Sequence, residues 1–356
     1  MTIASEITRI SGNIADAYTA AHDKGATLPQ VQNSDNLADC IDTITGASVG
    51  ITREVSAQGV FQMPSTNFTF SLPSNATDVG DRALYQAFYK CSTLQSVDLS
   101  SLTTLSNSLA LGEAFLECTA ITSVDLSSLT TVTGQSALSQ AFSRCTAIQS
   151  VDLSSLTTVN GSYAMAAIFQ QPTKSSGYGA TGAIQSVDLS SLTTVNGTNA
   201  MMLAFARNKI QRMDLSSLTT VTGDATMQSA FTECDELSYL DLSSLTTVSG
   251  YTSMSGAFYQ TAVQTVSFPS LTTVNGYRTM SNLFSKTPLQ TLSFPALTST
   301  SFGSNTDQFY NIIGNVTGCT VHFPSNLQSV IGSWSDVLSG FGGTNTTVLF
   351  DLPATT

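Results

Sequence analysis

Apolar residues return on a fixed beat along most of this chain. In one unit the large apolar side chains are Leu94, Val97, Leu99, Leu102 and Leu105. Their central part alternates with period two. That predicts a short strand with Val97 and Leu99 turned inward and Ser96, Asp98 and Ser100 on the opposite face. A Ser/Thr-rich turn follows. Stretches such as Gln135 to Cys145 then place Leu138, Ala141, Phe142 and Cys145 three and four residues apart, the spacing of one helical face. The predicted unit is strand, turn, short helix. One unit cannot bury its own apolar stripe, whereas stacked copies can. The pattern predicts an α/β repeat solenoid, with a parallel sheet on one face and short helices or turns on the other.

The segment SVDLSSLTT is intact from Ser96, Ser123, Ser150 and Ser186, and degenerate from Arg212, Tyr239, Thr265 and Thr291. Its marker position runs Asp98, Asp125, Asp152, Asp188, Asp214, Asp241, Ser267, Ser293, in steps of 27, 27, 36, 26, 27, 26 and 26. Phe88, Phe115, Phe142, Phe169, Phe205, Phe231, Phe258 and Phe284 keep the same period. A repeat of this length falls in the leucine-rich-repeat range. The long step holds an insertion after Gln170 whose distinctive side chains are Lys174 and Tyr178. Insertions in solenoids emerge as loops on one face, often the binding face.

The ends break the beat. Over residues 1–46, Ile3, Ile7, Ile10 and Ile14 follow the four-three spacing of a coiled-coil seam. This predicts a helical segment for anchoring or oligomerisation, and isoleucine at both seam positions favours a homotrimer. An intramolecular helical hairpin is the alternative. Residues 47–69 read as a connecting strand or hairpin, 70–318 as the solenoid and 319–356 as a C-terminal cap. In the cap, CTVHF and TTVLFDL read as strands, Leu327 to Leu338 as a short helix, and Trp334 and Phe341 as packing aromatics.

Composition narrows the function. The 356 residues carry a net charge of -12, with only 12 Lys plus Arg. That excludes a basic nucleic-acid surface and a polybasic membrane anchor. No run reaches 18 apolar residues, so membrane insertion is not expected. No secretory signal opens the chain, which points to synthesis in a cytoplasm. Ser and Thr number 51 each. His22 and His322 are the two histidines, and no nucleotide loop or H-E-x-x-H is present. Cys91, Cys118, Cys145 and Cys234 each follow a marker Phe by three residues. They predict buried free thiols rather than cross-links.

The Asp column is the candidate binding surface, on the expected concave face. Stacked strands would place Asp98, Asp125, Asp152, Asp188, Asp214 and Asp241 about 4.8 Å apart, with the 36-residue step a place for distortion. Mutual repulsion at that spacing is expected to raise their pKa values. A divalent cation there would need six to eight oxygens, so no cofactor or metal is expected, with a divalent cation on the column as the disfavoured alternative. Identical repeats supply no distinct acid and base environments, so an enzyme is not expected either.

The wording A-F-x-x-C-x-x-L-x-S-V-D-L, as at Ala87-Phe88 with Cys91 and Ala114-Phe115 with Cys118, resembles the BspA-type leucine-rich repeat. That family occurs in bacterial surface proteins, some protist proteins and bacteriophage proteins. The resemblance implies a solenoid used for binding rather than catalysis. The opening stretch, with Ile3, Glu6, Ile7, Ile10, Lys24, Gly25, Pro29, Leu37, Ala38, Asp42 and Ile44, resembles the short leader of bacteriophage tail and fibre proteins. This second resemblance implies a virion structural protein. Its N-terminus would bind tail or fibre proteins, and its solenoid would meet a host cell-surface glycan or protein. A bacterial surface adhesin and a glycan-degrading repeat enzyme are the alternatives.

Overall fold

The computed structural model describes residues 54–55, 61–62, 67–72, 74, 76–172, 182–302, 307–331 and 342–355. The seam residues Ile3, Ile7, Ile10 and Ile14, the insertion residues Lys174 and Tyr178, and Trp334 and Phe341 lie outside them. Glu54–Val55 and Phe61–Gln62 form a short antiparallel pair.

Each rung from Leu94–Asp98 to Thr265–Ser267 contributes two strands. The first strands are Phe68–Ser71, Leu94–Asp98, Ser123–Asp125, Ser150–Asp152, Ser186–Asp188, Arg212–Asp214 and Tyr239–Asp241, and they make one seven-stranded sheet. The second strands run from Thr104–Leu105 to Thr273–Asn275 and make another seven-stranded sheet. Beyond Asp241 the first-strand ladder restarts as a four-stranded sheet: Thr265–Ser267, Thr291–Ser293, Thr320–Pro324 and Thr347–Leu352. The second strands pair straight across that break, Thr247 with Thr273. The 36-residue step causes no distortion, because Ser186, Val187 and Asp188 register on Ser150, Val151 and Asp152.

The helical expectation fails on the third side of the rung. Gln135 to Cys145 is not a helix, and the described residues of the chain contain only one α-helical turn, Gln328–Ile331. Of the predicted helix Leu327 to Leu338, residues 332–338 lie outside the described part. The third side is a ladder of turns. The N–H groups of Arg82, Leu84, Gln86, Phe88 and Lys90 donate to carbonyls of Ser108, Ala110, Gly112, Ala114 and Leu116 on the next rung. The intervening N–H groups of Ala83, Tyr85, Ala87, Tyr89 and Cys91 donate to the carbonyl three residues back. Every fourth residue is left-handed, as at Arg82, Gln86 and Lys90 with φ of 52°, 54° and 60°. A helix would spend every N–H within itself. Here half of them tie one rung to the next. Two residues in and two out per turn give the same three-and-four apolar spacing that a helix gives. Each left-handed residue costs about 1–2 kcal/mol, a cost the cross-rung bonds offset.

The core is a repeated set. Leu99, Leu102, Leu105, Ala114, Phe115 and Ile121 are fully buried in one rung, and their counterparts are buried in the next. The marker phenylalanines stack from Phe88 to Phe284, and neighbours such as Phe115 and Phe142 have ring centroids 4.9 Å apart. Threonine has a structural task. The hydroxyls of Thr130, Thr157, Thr193, Thr219 and Thr246 each donate to the carbonyl of the equivalent threonine one rung earlier, at 2.8–3.1 Å.

Among the described residues the cysteines are free and buried, as the spacing predicts for Cys91, Cys118, Cys145 and Cys234. Their thiols donate across rungs, Cys118 to the Phe88 carbonyl at 2.9 Å and Cys145 to that of Phe115 at 3.1 Å. Where the column lacks Cys, Asn208, Thr261 and Thr287 donate to phenylalanine carbonyls instead. The position therefore selects a small donor. Burial pushes the Cys118 and Cys234 thiols up to about 12, so little nucleophilic thiolate forms. Native protein is expected to resist iodoacetamide that labels the unfolded chain. Cys118→Ala should cost about 0.5–1.5 kcal/mol, because it removes one of the two bonds that the Phe88 carbonyl accepts, the other coming from the Cys91 N–H, and Cys118→Thr should cost less. Equal midpoints for the two variants in urea would contradict the donor role.

Candidate functional site

Every aspartate of the column builds a turn. Asp98 Oδ1 accepts the backbone N–H of Ser100 at 3.0 Å and its hydroxyl at 2.6 Å. Asp125 and Asp188 repeat both bonds with Ser127 and Ser190. Asp152, Asp214 and Asp241 accept the N–H of Ser154, Ser216 and Ser243. Asp and Asn side chains favour such turns because their short carbonyl reaches the backbone two residues on. The D-L-S-S-L wording is thus a corner, closed by bonds such as Leu102 N–H to the Leu99 carbonyl. The corner uses Oδ1. Oδ2 has no such bond at most rungs; Ser71 reaches it at Asp98, at 3.4 Å.

The structure brings the predicted column together. Asp98 registers on Asp125, Asp125 on Asp152, Asp152 on Asp188 and Asp214 on Asp241. The expected upward pKa shift is overturned at three rungs. Asp98, Asp152 and Asp214 are held below the ordinary value, chiefly by the hydroxyls of Ser100, Ser154 and Ser216 and then by the same residues' N–H groups. Bonds to the charged form outweigh repulsion between largely hydrated carboxylates. A pKa depressed on folding adds stability above the unfolded value, lost as pH falls through the folded one. The thermal midpoint is expected to be flat above about pH 5 and to fall below about pH 4. Each share is small, because these side chains are well solvated. A midpoint that rises between pH 5 and pH 3 would contradict the arrangement.

Two shallow grooves open on this face. One, of about 580 Å³, is lined by Ser150, Val151, Asp152, Ser186, Val187, Asp188, Ser190, Arg212 and Asp214. The other, of about 430 Å³, runs from Ser96 to Asp152. Among the described residues no group of three or more His, Cys, Asp or Glu side chains could hold a metal ion.

Sequence reasoning passed over two residues here. Arg212 and Tyr239 stand where earlier rungs carry Ser96, Ser123, Ser150 and Ser186. The Arg212 guanidinium lies 3.5 Å from the centre of the Tyr239 ring, and the Tyr239 hydroxyl donates to Asp241 Oδ2 at 3.4 Å. Their signal was the degeneracy of the repeat at Arg212 and Tyr239. Several other charges are spent within the turn ladder, where Glu117 pairs with Arg144 at 2.7 Å and Lys90 at 3.6 Å, and Arg207 with Glu233 at 3.5 Å. His322 pairs with Asp351 at 2.9 Å between the last two strands.

The model of the BspA-type leucine-rich repeat region matches in six copies, over residues 58–170, 181–279 and 228–333. The chain belongs to this family. Together the matches cover well over half of its length. Leucine-rich-repeat solenoids are typically binding scaffolds for protein or glycan partners rather than enzymes. The plant peptide hormone receptor RGFR1, solved in complex with RGF2, shares 10% identity, with 84% of this chain and 73% of that chain covered and a TM-score of 0.16. So low a score adds nothing to the fold. No curated protein matches. No helix among the described residues is long and apolar enough to cross a membrane.

Proposed function

We propose that this BspA-type solenoid is a tail or fibre component of a bacteriophage virion. Residues 1–46 attach it to the particle, and the Asp face meets a glycan or protein on the host surface. The observation that carries the binding role is the column itself. Six carboxylates share one sheet face, each committing Oδ1 to the fold, and among the described residues only at Asp98 and Asp241 does a side chain also reach Oδ2. The virion placement rests on the resemblance of the opening residues to tail and fibre leaders. Their seam of Ile3, Ile7, Ile10 and Ile14 fits three joined copies, and a trimer would multiply weak contacts by avidity.

The test is retention of the labelled intact chain on a panel of bacterial surfaces, beside a variant with all six aspartates replaced by asparagine. The wild type should be retained and the variant lost. Equal retention of both would sink the Asp face as the binding surface. Light scattering checks the seam, since deleting residues 1–46 should convert trimer to monomer, and an unchanged mass per particle relative to chain mass would refute that part.

A further inference from the structure

The larger groove does not have the charge pattern of its repeat. Its rungs supply Asp152, Asp188 and Asp214, whose Oδ1 atoms hold the corners, and the hydroxyls of Ser150 and Ser186. Strict repetition would put a fifth serine next. The chain has Arg212 there, held on the Tyr239 ring at 3.5 Å, with Tyr239 itself tied to Asp241. A guanidinium laid on an aromatic face keeps its in-plane N–H groups available while losing little freedom on binding.

This combination selects by exclusion. Three carboxylates in a chain of net charge -12 repel an anion. Arg212 in the same lining cancels one of the three charges and weakens the pull that an all-acid groove would exert on polyamines, basic peptides and metal ions. A residue that raises the cost of the wrong ligand is a specificity device. A lining that holds both carboxylate acceptors and guanidinium donors suits a neutral ligand rich in donors and acceptors. The geometry points to a neutral saccharide. Its hydroxyls donate to the outer oxygens of Asp152, Asp188 and Asp214, and an acceptor oxygen, such as a hydroxyl or an N-acetyl carbonyl, takes the N–H groups of Arg212. Charge-assisted bonds of this kind are the stronger ones available to an uncharged ligand. Tyr239 is a positioning residue. The proposal rests on the Asp face being the binding face and names the class of partner that its central groove accepts.

The experiment is calorimetry on the intact chain with five probes: triacetylchitotriose and maltotriose (neutral), trigalacturonate (acidic), and chitosan trimer and trilysine (basic). At least one neutral probe should bind more tightly than the acidic and basic ones. Arg212→Ser, which restores the residue of the earlier rungs, should weaken that neutral probe at least tenfold. It should also strengthen the basic probes, a change that mere loosening of the structure would not produce. Tyr239→Phe should keep the wild-type profile, and Tyr239→Ala should follow Arg212→Ser. Three results overturn the inference: tightest binding by an acidic or basic probe, an Arg212→Ser profile equal to the wild type, or no heat from either neutral probe. The two readings fail separately. If bacterial surfaces retain the wild type and not the sixfold asparagine variant while both neutral probes are silent, the saccharide assignment falls and the binding face stands. If the sixfold variant is retained like the wild type, the binding face falls whatever the probes show.

Discussion

Phe142→Ala is expected to destabilise the chain by about 3–5 kcal/mol, the range for removing a fully buried aromatic. Phe142 is wholly buried and stacked between Phe115 at 4.9 Å and Phe169 at 5.4 Å. Its loss removes both ring contacts and leaves a cavity that the ladders on either side prevent from closing. A solenoid is nearly one-dimensional, so the damage should stay near its rung. Hydrogen exchange should show lost protection at the N–H groups of Phe115 and Phe142, which bond to Ala141 and Ile168. Protection at Phe231 should change little. Urea unfolding with amide exchange checks both statements. A loss below about 1 kcal/mol would mean that the phenylalanine column fills space without holding rungs together.

Gly250→Ala should cost as much through the backbone. Gly250 has φ of 116°, a conformation L side chains rarely adopt, and an added Cβ would lie 2.2 Å from the Gly223 carbonyl oxygen and 2.5 Å from its carbon. The obstacle is backbone of the neighbouring rung, so no rotamer relieves it. Strain and overpacking together should reach about 3 kcal/mol. Gly256→Ala is the control. It has φ of 61°, and its added Cβ would come no nearer than 3.4 Å to the Ser229 hydroxyl. Ser229, at the equivalent place one rung earlier, already has φ of 55°. Gly256→Ala should stay within about 1 kcal/mol of the wild type. Similar midpoints for the two alanine variants would refute the close approach at Gly250.

The repeat made the strands and the core legible. Val97, Leu99, Leu102 and Leu105 are buried as their spacing demands, and the period places Asp98 beside Asp125. The helices were misread for a physical reason. Leu138, Ala141, Phe142 and Cys145 satisfy helical spacing, but periodicity reports which residues face the core and not where the N–H groups go. In a stack of identical rungs a carbonyl lies one rung away, and the turns use it. The close approach at Gly250 was hidden because it is a contact between rungs. The aspartates were visible as a column, but their role in the corner needed Ser100 and its equivalents in place. Arg212 and Tyr239 were written in the sequence as departures from Ser-Val-Asp, and they gain meaning only beside Asp188, Asp214 and the groove.

On the proposed function each aspartate does two separable things, building a corner with Oδ1 and offering its charge to a partner. Asparagine keeps the corner, since its side-chain carbonyl still accepts the serine N–H. It removes the charge. The most direct measurement takes one preparation of the sixfold asparagine variant and records its thermal midpoint at neutral pH and its retention on the surfaces that hold the wild type. The account predicts a midpoint within a few degrees of the wild type and retention reduced at least tenfold. Unchanged retention at an unchanged midpoint would contradict it.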